Sequence, residues 1–301
     1  MLLVATIAHA ENQPLDGSIV FTDSRSKRLL RLDSADGTLL TIAHDIATYG
    51  GLMPWRGLLL AATRDHKAVH IDPWCNNVSC ASSLLVDVPK ALGATKLVDA
   101  FAIGGMTLCD DAIFIVYGGN ATAGHSGVLR CKGCEPGKDC TSKCAVVDGG
   151  DSPGAGMQQL GGYAAGVECV GGMSQQVLVV DNTNLRVQGI PASCPRSPCN
   201  VSTFASQLNY PLGIAKVGDA VLVTLDETIT SLSADGSQHP WSKRGDCGYL
   251  ARAKSSVLVA DRDIVSFDSS CGGPGCKPSV IWNATGGIEV YGALAHITPS
   301  P

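Results

Sequence analysis

The sequence predicts an all-β chain folded as a six-bladed β-propeller, with four antiparallel strands per blade and the ring closed by strands from both ends. Three observations predict it. Six short segments rich in Val, Ile and Leu recur along the chain. Each belongs to a unit of several strand-like segments. Gly and Ala concentrate in one segment of every unit. Short strands at regular spacing with Gly-rich turns mark a propeller. Charged residues make up only 16% of the chain and Gly supplies 35 of 301 residues, the reverse of a long-helix protein.

The six apolar segments are SIVFTD (18–23), LLLAAT (58–63), AIFIVY (112–117), QVLVVD (176–181), AVLVTL (220–225) and SVLVAD (256–261). A second strand-like segment follows each: LLRLD (29–33), AVHID (68–72), GVLRC (127–131), LRVQGI (185–190), TITSLS (228–233) and DIVSFD (263–268). A third follows, as in TLLTIA (38–43), SSLLVDV (82–88), CAVVDG (144–149) and SVIWNA (279–284). Ahead of each apolar segment stands a Gly/Ala-rich strand, ending with the closing strand: YGGLM (49–53), DAFAIGG (99–105), YAAGVE (163–168), YPLGIA (210–215), GYLARA (248–253) and YGALAHI (291–297). Small residues suit the innermost strands, where six backbones crowd around one axis. Blades apolar on their faces must stack on their neighbours. A two-sheet sandwich or a parallel β-helix does not explain the four-part unit.

This places one propeller domain over residues 1–301, with blades near 18–46, 47–90, 98–149, 159–207, 209–245 and 247–287. The closing strand, 291–297, has no outer strands after it, and the first blade lacks an inner one. Joining the two closes the ring. The N-terminal MLLVATIAHA competes for that inner place. It reads either as a strand over Leu3–Ile7 or as a leader ending in Ala8-His9-Ala10. Its short length and lack of a basic segment favour the strand.

Cysteines and sequons speak to compartment. The chain has 13 Cys, more than a core of this size needs for stability. CNNVSC (75–80), CPRSPC (194–199), CGGPGC (271–276) and CKGCEPGKDCTSKC (131–144) all fall between the third and fourth strands of a blade. The four-Cys cluster admits a zinc reading. Three other blades carry a lone Cys pair at the same place, which favours disulfides throughout. The expected pairs are Cys75–Cys80, Cys194–Cys199 and Cys271–Cys276, with two more among Cys131, Cys134, Cys140 and Cys144. Cys109 and Cys169 lie on adjacent blades and are within reach of each other, leaving Cys247 as a free thiol or intermolecular link. Asn-x-Ser/Thr acceptors stand at Asn77, Asn120, Asn200 and Asn283, four of nine asparagines, where roughly one or two would arise by chance. The expectation is a secreted or cell-surface, disulfide-rich, N-glycosylated protein. The net charge of −5 comes without any basic block, so nucleic acid is not an expected partner. No apolar run reaches membrane-spanning length.

Asn209-Tyr-Pro-Leu-Gly-Ile-Ala215, a short turn, then Ala220-Val-Leu-Val223 resembles an NHL-type repeat of six-bladed propellers. The strand-end Asp23, Asp181 and Asp261 fit the same pattern, whereas blades 2 and 3 carry Thr63 and Tyr117 there. The resemblance implies the propeller fold. It implies no single activity, since such propellers include scaffolds, peptidyl-amide lyases, lactonases and strictosidine-synthase-like proteins.

Five of six tyrosines, Tyr49, Tyr163, Tyr210, Tyr249 and Tyr291, stand at the start of an innermost strand. A ring of aromatic faces at one mouth of the axial channel would suit a sugar or other flat polar ligand. Packing between blades is the plainer reading. Loops on the same face supply Asp23, Arg64, Asp65, His66, Asp181, Asp226, Asp261 and Asp263. The lactonase-like resemblance implies calcium held in the channel by convergent carboxylates, but only Asp23, Asp181 and Asp261 share one repeat position, and turn capping is the plainer reading of those three. Glu168 is nearly the only acid on the inner strands. His9, His44, His70, His125 and His296 share no repeat position. There is no HExxH and no GxSxG, and GGMSQ (171–175) and GHSG (124–127) do not substitute for the latter.

Two functions follow as expectations. One is an extracellular binding or structural module for protein or glycan, with no cofactor, forming part of a larger chain or assembly. The other is a channel-site hydrolase or lyase of the lactonase or strictosidine-synthase-like kind with bound calcium. Sparse inner carboxylates and the missing His cluster favour the first.

Overall fold

A computed structural model describes residues 17–33, 35–47, 51–76, 80–93, 102–118, 126–149, 164–171, 175–196, 199–243, 248–271, 276–284, 288, 290 and 293–298. Six four-stranded antiparallel sheets form a ring. From inside outwards, blade 1 is Leu294–Ile297, Ser18–Asp23, Arg28–Asp33 and Leu39–Ala43. Blade 2 is Leu52–Trp55, Leu58–Ala62, Lys67–Ile71 and Ser82–Asp87. Blade 3 is Ala102–Cys109, Ala112–Gly118, Gly127–Lys132 and Cys144–Gly149. Blade 4 is Ala164–Val170, Gln176–Asp181, Arg186–Pro191 and Ser202–Ala205. Blade 5 is Ile214–Val217, Ala220–Thr224, Thr228–Leu232 and Gln238–Lys243. Blade 6 is Leu250–Ala253, Ser256–Asp261, Asp263–Asp268 and Ser279–Trp282.

The ring closes with both ends of the chain. Phe21 pairs with Leu294 and Ser18 with Ile297. Residues 1–16, including the segment that competes for this place, lie outside the described residues.

No single core exists. Six apolar clusters sit in the six gaps between neighbouring blades. The second strand of each blade feeds two of them. Ile19 and Phe21 face blade 6, while Val20 faces blade 2. Leu59 and Ala61 face blade 1, while Leu60 and Ala62 face blade 3. Alternate side chains of a strand point to opposite faces, and both faces are buried here. That is why these segments read as unbroken apolar runs.

The third and outer strands of every blade slip register at one equivalent place. The shifts fall at Leu29/Leu30, Ala68/Val69, Val128/Leu129, Val187/Gln188, Ile229/Thr230 and Ile264/Val265. A bulge bends a strand and increases its twist. Repeated six times, it turns the outer edge of each blade relative to its inner one.

Six disulfides are present: Cys75–Cys80, Cys131–Cys144, Cys134–Cys140, Cys194–Cys199, Cys271–Cys276 and Cys109–Cys169. The first five close connections between third and outer strands. The cystine loops do more than pin hairpin tips, because they lean on the preceding blade. The Cys80 N–H reaches the Ile42 carbonyl of blade 1, and the Ser242 hydroxyl of blade 5 donates to the Cys276 carbonyl. Arg31 of blade 1 donates to the Pro73 carbonyl and to Asn76 Oδ1, with its guanidinium over Trp74. The doubly bridged loop of blade 3 runs beside the outermost strand of blade 2. There the Cys140 N–H donates to the Leu85 carbonyl at 2.6 Å and the Asp87 N–H to Thr141 Oγ1. An exposed strand edge is thereby covered. Cys109–Cys169 links the innermost strands of blades 3 and 4. Cys247 lies outside the described residues.

Candidate functional site

The innermost strands run side by side in one direction, and their beginnings define an upper face. Their register brings one apolar residue from each blade to the same level: Leu52, Met106, Val167, Ile214, Leu250 and Leu294. Just before them stand Gly51, Gly105, Gly166, Gly213, Tyr249 and Ala293. The glycines are required by close approach. A β-carbon on Gly51 would lie 2.7 Å from Gly105 Cα. One on Gly105 would lie 2.9 Å from the Ala165 carbonyl, and one on Gly166 2.8 Å from the Leu212 carbonyl. Backbone therefore packs directly on backbone around the axis.

These rings leave an axial cavity of about 50 Å³, lined by glycine backbone and apolar side chains, with Tyr249 at its edge. A cavity of this volume holds a few waters and no organic substrate. Among the described residues, no ionisable side chain other than this tyrosine lines it.

Tyr210 and Tyr249 do not share one repeat position. Tyr249 precedes its inner strand directly, and its carbonyl accepts the Ala260 N–H as the Gly213 carbonyl accepts Thr224. Tyr210 stands three residues ahead of Gly213. The two differ accordingly in exposure, 7% for Tyr249 and 60% for Tyr210. Tyr249 is part of the packed axis, whereas Tyr210 projects from the upper face. Tyr49, Tyr163 and Tyr291 lie outside the described residues.

Two strand-end aspartates, Asp23 and Asp181, are occupied in their own turns; the side chain of Asp261 lies outside the described residues. Asp23 accepts from the Arg25 N–H, the Ser26 hydroxyl and Arg28, with Arg28 Nη2 at 2.9 Å. Asp181, fully buried, accepts from Asn184 Nδ2 at 2.8 Å and Arg186 Nε at 2.9 Å. The hydrogen bonds hold the turn, and the arginine five residues on neutralises the buried charge. In blade 2, Thr63 Oγ1 fills the same place by accepting the Lys67 N–H. The spacing Asp-x₄-Arg was readable in the sequence and points to this structural pairing. Of the other upper-face groups, Asp65 pairs with exposed Lys67 and Asp263 accepts the Ala284 N–H. Among the described residues, no three His, Cys, Asp or Glu side chains gather as a metal site would need.

Glu168 is the exception among inner-strand side chains. It is half-buried on blade 4, facing blade 5. Burial pushes its carboxyl up to about 7. The backbone N–H groups of Lys216 and Cys169 and the charges of Arg252 and Lys216 oppose that rise. His70 is buried too, stacked on Trp55, and desolvation lowers its pKa.

Of the four sequons, Asn200 and Asn283 are exposed. Asn77 and Asn120 lie outside the described residues. No helix among the described residues is long and apolar enough to cross a membrane.

No protein-family model matches the chain, and no curated protein sequence does. Solved structures do match. A luciferin-regenerating enzyme superposes with a TM-score of 0.62 at 10% identity, covering 95% of this chain and 92% of its own. A structure of a nidogen/laminin complex gives 0.62 at 9% identity, covering 92% and 97%. A calcium-binding regucalcin from Agrobacterium tumefaciens strain C58 gives 0.58 at 14% identity, covering 96% and 92%. The chain is a six-bladed β-propeller. At such identities the likeness extends to fold alone, and these proteins serve different ends on it.

Proposed function

We propose that this chain is an extracellular binding module whose working surface is the upper face of the propeller, outside the axis. The observation that carries the reading is the axial cavity of about 50 Å³ with its glycine and apolar lining, which has no room for an organic substrate. Tyr210 offers the opposite, an exposed aromatic side chain on a face built of short turns. Six disulfides and exposed acceptors at Asn200 and Asn283 support a secretory route with N-glycosylation. The fold likeness to a chain of a nidogen/laminin complex supports a macromolecular ligand.

A second reading, a channel-site hydrolase or lyase with bound calcium, draws on one observation. Glu168 titrates near neutrality, which suits a general acid or base. The experiment separating the two is a calcium titration with a lactone-hydrolysis assay, beside a glycan array and a panel of purified matrix proteins. The binding module gives saturable capture of a glycan or matrix protein, weakened by Tyr210→Ser. Stoichiometric calcium with turnover lost in Glu168→Gln establishes the enzyme instead.

A further inference from the structure

Four large apolar side chains are exposed among the described residues, and two of them, Leu185 and Tyr210, lie in one sector of the upper face. Leu185 lies in the turn between the second and third strands of blade 4. Tyr210 lies in the connection from blade 4 to blade 5. Hydrogen bonds tie these segments together. The Leu208 N–H donates to the Leu185 carbonyl at 2.9 Å, and Asn182 Nδ2 to the Pro211 carbonyl at 2.8 Å. On the far side the Asp226 N–H donates to the Asn209 carbonyl at 3.0 Å. Gln238 Nε2 holds the Ser206 carbonyl. The connection is thus fixed from both neighbouring blades.

The backbone here is unusual. Leu185, Gln207 and Tyr210 have φ of 53°, 60° and 48°. Bulky residues rarely occupy this left-handed region, and surrounding structure must hold them there. The outcome is an aromatic and an aliphatic side chain held outward on a rigid frame. Ordering such side chains beforehand lowers the cost of binding.

The turn beside Tyr210 is acidic, with exposed Lys243 opposite Thr228 on the side away from Tyr210. Asp226 and Glu227 are exposed in the adjoining blade 5 turn. The segments 182–185, 206–211 and 225–227 contain no Lys, Arg or His. Arg186, which follows Leu185 in the chain, is committed to Asp181.

We infer that this sector docks a protein segment presenting an apolar side chain beside Lys or Arg, with Tyr210 and Leu185 as the apolar anchor and Asp226 and Glu227 as the acidic rim. The inference rests on the upper face being the working surface and names the place and partner chemistry on it. Aromatic residues in rigid settings dominate interface energetics, while rim charges set the salt dependence.

The test is selection of displayed random peptides against the whole protein at moderate salt. Enriched peptides are expected to carry Leu, Ile or an aromatic residue within two positions of Lys or Arg. Their binding should fall about tenfold or more in Tyr210→Ser and in Leu185→Ser. It should fall about two- to fivefold in the double variant Asp226→Asn/Glu227→Gln, with loss of salt sensitivity. Tyr210→Phe should retain binding, and all variants should keep the parent melting temperature. Enriched peptides without basic residues, binding indifferent to Tyr210, or no enrichment at all would overturn the inference. So would a glycan-array signal that depends on Tyr210. If binding moves instead with Arg25 or Arg64, elsewhere on the upper face, the docking sector is wrong and the binding-module reading stands. If it moves only with lower-face residues such as Lys254, that reading fails as well.

Discussion

Gly213 of blade 5 lies against Tyr249 of blade 6 so closely that a β-carbon on the glycine would sit 3.0 Å from the tyrosine Cα and 2.8 Å from the Leu250 nitrogen. The contact is backbone on backbone, with no flexible side chain to yield. Thr224 fixes it further, its hydroxyl accepting the Gly213 N–H and donating to the Gly248 carbonyl, each at 2.7 Å. Gly213→Ala is expected to cost about 1–3 kcal/mol, the usual range for overpacking. Gly51→Ala and Gly166→Ala should act alike. Denaturant unfolding of the three variants measures it, and unchanged midpoints would refute the close-packed axis.

Two disulfides should differ in effect because their loops differ. Cys109–Cys169 spans 60 residues and Cys194–Cys199 only 5. The chain-entropy account assigns about 4 kcal/mol to the first and about 2 to the second. Replacing each pair with Ser and comparing unfolding free energies gives the order. A larger loss from the short loop would show that its packing against blade 3 outweighs chain entropy.

Asp181→Ala removes the acceptor for Arg186 and Asn184 and leaves a guanidinium largely enclosed. The expected loss is about 3 kcal/mol, as for other broken buried pairs. Under the calcium-channel reading, the same variant would instead lose metal while stability in metal-free buffer stayed unchanged. Thermal unfolding with and without chelator distinguishes them.

Glu168 makes stability depend on pH in a direction set by its raised pKa. Its ordinary value is 4.5, against about 7 in the folded chain. Between these values the folded state holds a proton that the unfolded state has released. Stability from this group is full below about pH 4.5 and declines as pH rises through 7, by on the order of 3 kcal/mol. Glu168→Gln should remove that slope and be the more stable protein at pH 8. Identical pH profiles for parent and variant would sink the assignment.

Asn200 and Asn283 are both exposed and should each carry a glycan when the protein is made in a eukaryotic secretory host. Intact-mass measurement before and after enzymatic deglycosylation counts them, and Asn200→Gln and Asn283→Gln should each remove one. A parent protein with no mass change would argue against that route.

The sequence read alone went far with the fold and less far with the site. Segments such as QVLVVD and AVLVTL declare themselves because a strand buried on both faces must be apolar throughout. In the sequence the five tyrosines look alike because each precedes or enters a Gly/Ala-rich stretch. Structural register separates Tyr210 from Tyr249, since the residues between aromatic and inner strand differ in number. The pairs Gly51-Leu52, Gly105-Met106, Gly166-Val167 and Gly213-Ile214 were the truer marker of the axis.

Local sequence by itself determined which segments are strands and how many blades they make. These follow from unbroken apolar runs buried on both faces and from short turns, which act between near neighbours. Only the tertiary structure decided which side chains line the axis, that Asp181 faces Arg186, that the cystine loops lean on preceding blades, and that Tyr210 is exposed while Tyr249 is not. Those outcomes depend on contacts between blades distant in sequence, where an offset of one residue sends a side chain to the opposite face.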